Sequence, residues 1–178
     1  MRWLNLNILT GLEAVRAIIH ECLIMENKPG GILHDVKSII TVANNEYGVD
    51  EPCIWINQHP TITDTNSKTS LSSTIKLSST FEFICIEYDP DPEIAERKGQ
   101  NLASRVVLAI AKNYQFVQKE YGERVIKNIK FNRFYPVGEV SILGKSDKIP
   151  ATSIVLEFIH VIDWLNCCKK MIKEENSK

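Results

Sequence analysis

The sequence predicts an α+β fold: an antiparallel or mixed β-sheet of four to five strands, with an N-terminal helix and a long central helix packed on one face. Three observations lead there. Two segments carry apolar residues at helical spacing, and several others carry them in alternation. The strand-like segments also cluster without a regular strand–helix–strand rhythm, which argues against a parallel α/β sheet. A chain of 178 residues suits one domain, expected over residues 1–178, long enough to bury about 70% of its unfolded surface.

The first helix is expected over residues 10–27. Thr10 and Glu13 form a T-x-x-E capping box, in which each side chain satisfies an otherwise orphaned backbone N–H. Leu12, Val15, Ile18, Ile19, Cys22 and Leu23 recur at helical spacing behind it, and Pro29-Gly30-Gly31 ends it. Residues 34–47 fit two readings. Val36, Ile39, Ile40 and Ala43 suit a short helix capped by Asp35 and closed by Gly48, whereas the β-branched run at 39–42 suits a strand. The helix is favoured.

A strand at about 53–57 follows from the apolar run Cys53-Ile54-Trp55-Ile56 between Pro52 and Pro60. Residues 57–74 are dominated by Thr, Ser, Asn, Asp and Lys, a long polar connection that a compact domain seldom keeps without a use. The strand at about 74–88 shows the clearest alternation. Ile75, Leu77, Phe81, Phe83 and Cys85 point one way, while Lys76, Ser78, Thr80 and Glu82 point the other.

The long helix is expected at about 91–116, started by the Asp89-Pro90-Asp91-Pro92-Glu93 cluster. Either aspartate can cap it, proline sits just inside, and the acids complement the helix dipole. Leu102, Ala103, Val106, Val107, Ile110, Ala111 and Tyr114 make an apolar stripe wide enough to lie across a sheet. Strands at about 124–135 and 152–164 complete the pattern. The second carries Ile154, Leu156, Phe158, Ile162 and Trp164 on one face with His160 among them, and the tail at 168–178 is expected to fray.

Composition narrows the function classes. The chain is 44% hydrophobic and 24% charged with a net charge of −1, so disorder is excluded and no strong field draws it to nucleic acid. No apolar run of about 18 residues exists and the first ten residues lack a signal-peptide pattern, so a soluble intracellular domain is expected. Five cysteines without a C-x-x-C, and four scattered histidines, form neither a disulfide framework nor a zinc site.

Chemistry-bearing motifs are scarce. Gly144-Lys145-Ser146 resembles the end of a phosphate-binding loop, but Glu139 stands where the first glycine belongs and Pro150 follows, so a surface turn is the better reading. Asp89, Asp91 and Glu93 suit a cation, but helix capping explains them equally well. His160 as a general base competes with His160 as a satisfied half-buried histidine. Lys127, Lys130, Arg133 and Lys145 with Phe131, Phe134 and Tyr135 suggest a sheet-based nucleic-acid module, against ordinary strand alternation. No catalytic, metal-ligating or cofactor-binding residue is assigned, and no cofactor is expected. Trp55, His59, Thr63, Asp64, Asn66 and Lys68 are the candidate protein-interaction residues, because aromatic and loop positions tend to carry recognition; Trp55 equally suits the core of its strand.

The layout resembles the tail-terminator and tail-completion proteins of long-tailed bacteriophages. The likeness rests on the leading helix, "PCIWI" at 52–56, the polar hairpin loop, and "STFEFICIEYD" at 79–89 running into the helix from Asp91. A final strand pair, split by a glycine-containing loop in "EVSILGKSDKIPATSIVLEFIHV" at 139–161, completes it. The resemblance implies a non-enzymatic subunit of a ring, usually hexameric, that caps the tail tube and joins it to the head connector. Its partners would be further copies, the tail-tube protein and the connector, with no membrane and no specific nucleic acid. Its place would be the host cytoplasm during assembly and then the virion tail. The alternatives are a small nucleic-acid-binding or other interaction module, or an enzyme of unrecognised type.

Overall fold

Phe81 and Phe158, fully buried and from different strands, meet edge-on with ring centroids 5.4 Å apart and planes at 88°. Such a pair adds about 0.5–1.5 kcal/mol beyond the area it buries. Around it the computed structural model describes residues 11–41, 51–59, 62–63, 74–120, 125–141 and 148–163.

In chain order the elements are α1 (Gly11–Glu26), β1 (Ser38–Ile40), β2 (Cys53–Gln58), β3 (Ile62–Thr63) and β4 (Thr74–Ile86). There follow α2 (Pro92–Glu120), β5 (Ile126–Ser141) and β6 (Lys148–Asp163). Five strands lie in the order β1–β2–β4–β6–β5, and β3 pairs with β4. Among the described strands only the β1–β2 pair is parallel. The sheet is therefore mixed, and the α+β class predicted from the sequence holds.

Both helices cover one face. Ile54 and Ile56 of β2, Phe81, Phe83 and Cys85 of β4, and Ile154, Leu156 and Phe158 of β6 share a buried cluster with the apolar stripes of α1 and α2. The register explains it: Ile54 pairs with Cys85, Phe83 with Ile154 and Phe81 with Leu156, so one parity along each strand meets the helices. Gly99 lets α2 come down close on the sheet. A Cβ there would lie 3.0 Å from Thr152 Oγ1 and 3.4 Å from the Cys85 carbonyl oxygen.

The other parity is only partly polar. Lys76, Ser78, Thr80 and Glu82 follow the expected alternation, but Ile84 and Ile86 join Cys53, Ile149 and Ala151 in a second apolar cluster, with Ile40 and Trp55 against it. β4 is thus buried on both faces at one end and on one face at the other.

Several expectations need correction. The favoured helix within 34–47 is instead a strand at Ser38–Ile40, parallel to β2. Its β-branched isoleucines suit a pleated edge, and Lys37 N donates to Pro52 O at 2.9 Å to start the pairing. The polar connection after β2 carries a strand, β3, in register with Ser78 and Leu77. β5 runs well past residue 135 and through Pro136; the edge position and register shifts at 126/128, 131/133 and 136/138 accommodate it. α2 continues to Glu120, four residues beyond expectation. Ala111 is exposed rather than part of the apolar stripe, and His160 is fully rather than half buried. The Thr10 cap, the Gly144–Lys145–Ser146 turn, Trp164 and the tail at 168–178 lie outside the described residues.

The acidic cluster at the start of α2 behaves as a cap. Asp91 Oδ1 accepts from Glu93 N at 2.9 Å and Ile94 N at 3.4 Å, and Asp89 Oδ1 accepts from Asp91 N at 3.0 Å. Asp89 also pairs with Lys98 at 3.0 Å, and its carboxyl is held below the usual range, first by the Asp91 N–H and then by Lys98. Asp91→Ala is expected to destabilise the fold by about 1 kcal/mol, measured by urea unfolding. An unchanged midpoint would remove Asp91 from the cap.

Candidate functional site

The sheet face away from the helices gathers the polar side chains. β4 presents Ser78, Thr80 and Glu82 there; β6 presents Ser153 and Glu157; Asn57 and His59 adjoin from the end of β2. Strand alternation puts residues two apart on one face, and the antiparallel register sets Thr80 opposite Glu157 and Asn57 opposite Glu82.

The two carboxylates are held alike. Ser153 Oγ donates to Glu82 Oε1 at 2.6 Å, and His59 Nε2 stands 3.5 Å from Glu82 Oε2. Ser78 Oγ donates to Glu157 Oε1 at 2.6 Å, and Lys130 Nζ stands 3.6 Å from Glu157 Oε2. Each glutamate thus takes a short hydroxyl bond on one oxygen and faces a basic group on the other. A hydrogen bond to a charged acceptor is worth about 1.5–3 kcal/mol when shielded from water. These carboxylates are partly open, so the pairs set a fixed pattern of charge more than they add stability.

The base nearest each serine hydroxyl is the carboxylate that accepts its hydrogen bond, and His59 faces Glu82 from the other side, not the serine. This order differs from the serine–histidine–carboxylate relay, in which the imidazole lies between the other two. Among the described residues no group of three His, Cys, Asp or Glu side chains could hold a metal ion. Chemically the face can present ordered hydroxyls, carboxylates and two basic groups to another macromolecule.

Two of the residues predicted from the sequence reach this face. His59 is 48% exposed by side chain, beside Glu82, and its N–H donates to Thr80 O at 2.9 Å. Trp55 shares its strand and parity but packs against the second apolar cluster, with Nε1 buried and unpartnered. It is a wall of that cluster more than an exposed anchor. Thr63 is placed by register opposite Leu77. Asp64, Asn66 and Lys68 lie outside the described residues.

Lys130 and Phe131 of β5 do not share a face. Lys130 pairs in register with Glu157 and Phe131 with Leu156, so Lys130 lies on the open face and Phe131, 51% exposed, on the helix side. Glu82, Glu157, Ser78 and Ser153 were not singled out from the sequence. Glu157, an acid inside an apolar run, was the one local signal; the pairings span 71 and 79 residues of chain.

Set against known protein families and curated proteins, the chain matches no family and no curated protein. Among the described residues no helix is long and apolar enough to cross a membrane.

Proposed function

We propose that the chain is a structural subunit of tail-terminator type, which assembles with further copies into a ring and caps a tube of another protein. The observation that carries this reading is the one-sided architecture. Both helices cover one face of the mixed sheet, and the opposite face presents a row of fixed hydroxyls, carboxylates and basic groups. A closed ring needs a heterologous interface whose rotation closes, and a surface to meet the tube. A patterned polar face of balanced charge suits a lumen through which nucleic acid passes without being gripped. The order of a proline-led strand, a strand entering an acidic helix cap, and a final strand pair is the layout on which the resemblance to that family rests.

The test is solution mass by multi-angle light scattering across a concentration range, alone and with the tail-tube protein encoded nearby. The expected outcome is a closed ring, or a monomer that becomes a ring on the tube. A monomer that ignores the tube at every concentration would overturn the proposal.

A further inference from the structure

On the helix side of β6 sits one polar group that the proposed ring function does not use. His160 is 0% exposed, its Nε2 lies 2.8 Å from Ser79 Oγ, and its Nδ1 is buried without a partner. A neutral imidazole fits as the tautomer in which Nε2–H donates to Ser79 Oγ and the unpartnered Nδ1 keeps its lone pair, so that no buried N–H is left unpaired. Protonation would put a second N–H on Nδ1, where no acceptor lies among the described residues, and a charge in an apolar layer.

Among the described residues nothing on the neighbouring elements offsets that charge. Strand alternation directs Lys76 and Glu82 of β4 and Glu157 of β6 to the open face, Lys130 of β5 pairs with Glu157 there, and Lys127 is exposed. Lys119 of α2 and Glu13 and Glu21 of α1 are exposed, and Arg16 donates to Gln58. His20 is half-buried, Glu26 is engaged at the C-terminal end of α1, and the other described titratable groups of the helix-side core are the thiols of Cys22 and Cys85 and the half-buried Tyr114 phenol, none of them an anion at neutral or mildly acid pH. Burial alone pushes His160 below the ordinary histidine range.

α2 is also held unevenly along its length. Residues 91–113 carry the Asp91 cap, the Lys98–Asp89 pair, and Arg105 donating to Ile32 O at 3.1 Å and Asp35 at 2.6 Å. Asn113 and Lys112 bind Glu26 at 2.8 and 2.9 Å. Beyond Asn113 the described polar tie to the sheet is Gln118 Oε1 accepting from Ile126 N at 3.0 Å, and Ile126 is the register partner of His160.

We propose that His160 is an acid-sensitive latch: its protonation releases the last turns of α2 from the start of β5, while the rest of the fold stays closed. The sign follows from burial. The unfolded chain takes the proton first, so the contribution is intact above about pH 6.5 and is lost as pH falls below it. Glu26 enters only in a more acidic range, so the two events separate.

The test uses the full chain. Amide hydrogen exchange, corrected for intrinsic rates, is compared at about pH 7 and 5.5 in wild type and His160→Gln, which keeps a polar partner for Ser79 but does not titrate. The expected result is about tenfold lower protection at pH 5.5 over residues 114–120 and 126–131 in wild type, and less than about twofold in the variant. Equal loss in both proteins, or loss spread evenly along α2, would overturn the latch. If the variant does not fold, imidazole titration by side-chain nitrogen NMR in wild type decides. A midpoint well below 6.5, coinciding with the loss of protection, supports the latch; a midpoint at or above 6.5 in the folded protein overturns it.

Discussion

Glu26→Ala is expected to destabilise the fold by about 2–4 kcal/mol. The residue closes α1 and its carboxylate is nearly inaccessible, yet it serves three donors. Oε1 accepts from Asn113 Nδ2 at 2.8 Å and Lys112 Nζ at 2.9 Å, and Oε2 accepts from Ile32 N at 3.2 Å. Its own carbonyl takes Leu33 N at 2.9 Å, so one residue ties α1, the following turn and α2 together. Asn113 retains Ala109 O in the variant and Lys112 turns to water, so the stranded group is the Ile32 N–H. Glu26→Gln, which keeps an acceptor for that N–H, should lose about half as much. Asn113, then Lys112, lowers the Glu26 carboxyl to about 2. The linked stability is fully present above about pH 4.5 and is lost as pH falls towards 2, an effect of roughly 2–3 kcal/mol. Urea unfolding at about pH 5 and 3 checks both statements. A wild-type loss matched in Glu26→Gln would assign the acid sensitivity elsewhere.

Gly31→Ala is expected to be as damaging, about 2–4 kcal/mol. A Cβ at residue 31 would stand 2.2 Å from the Glu26 carbonyl oxygen, 2.7 Å from its carbon and 2.9 Å from its Cα. These are main-chain atoms at a helix end, with no rotamer to relieve the contact. The turn must move out, which stretches the Leu33 N to Glu26 O bond and draws Ile32 N from the Glu26 carboxylate. The two substitutions damage one junction, so the double variant should lose less than the sum of the singles. Thermal unfolding of all three proteins reads this out; full additivity would mean that Gly31 does not support the Glu26 clamp.

Much of the fold was legible because its elements are long against their own period. α1 and α2 repeat their apolar stripes over several turns, and β4 alternates over enough residues to fix its faces. β1 and β3, three and two residues long, are shorter than any pattern that could announce them, and pairing with β2 and β4 makes them strands. Pro136 suggests an end to β5 because proline lacks an N–H, yet on an edge strand with a bulge that loss is harmless. The candidate face was half legible. His59 and the polar side of β4 were visible, whereas the serine–glutamate pairs exist only once register sets β6 beside β4.

By itself the sequence determined the α+β class, the two helices, an aspartate cap at Asp89 or Asp91 and the apolar parity of β4. Each of these follows from spacing within one segment, where side-chain direction is set by the local backbone period. The tertiary structure decided what depends on distant segments: the strand identity of residues 38–40, the second apolar cluster under Trp55, and the opposite faces of Lys130 and Phe131. It also decided that His160 and Glu26 are buried, one without a partner at Nδ1 and the other with three. Burial and register are properties of a pair of segments, and no single window of sequence contains both members.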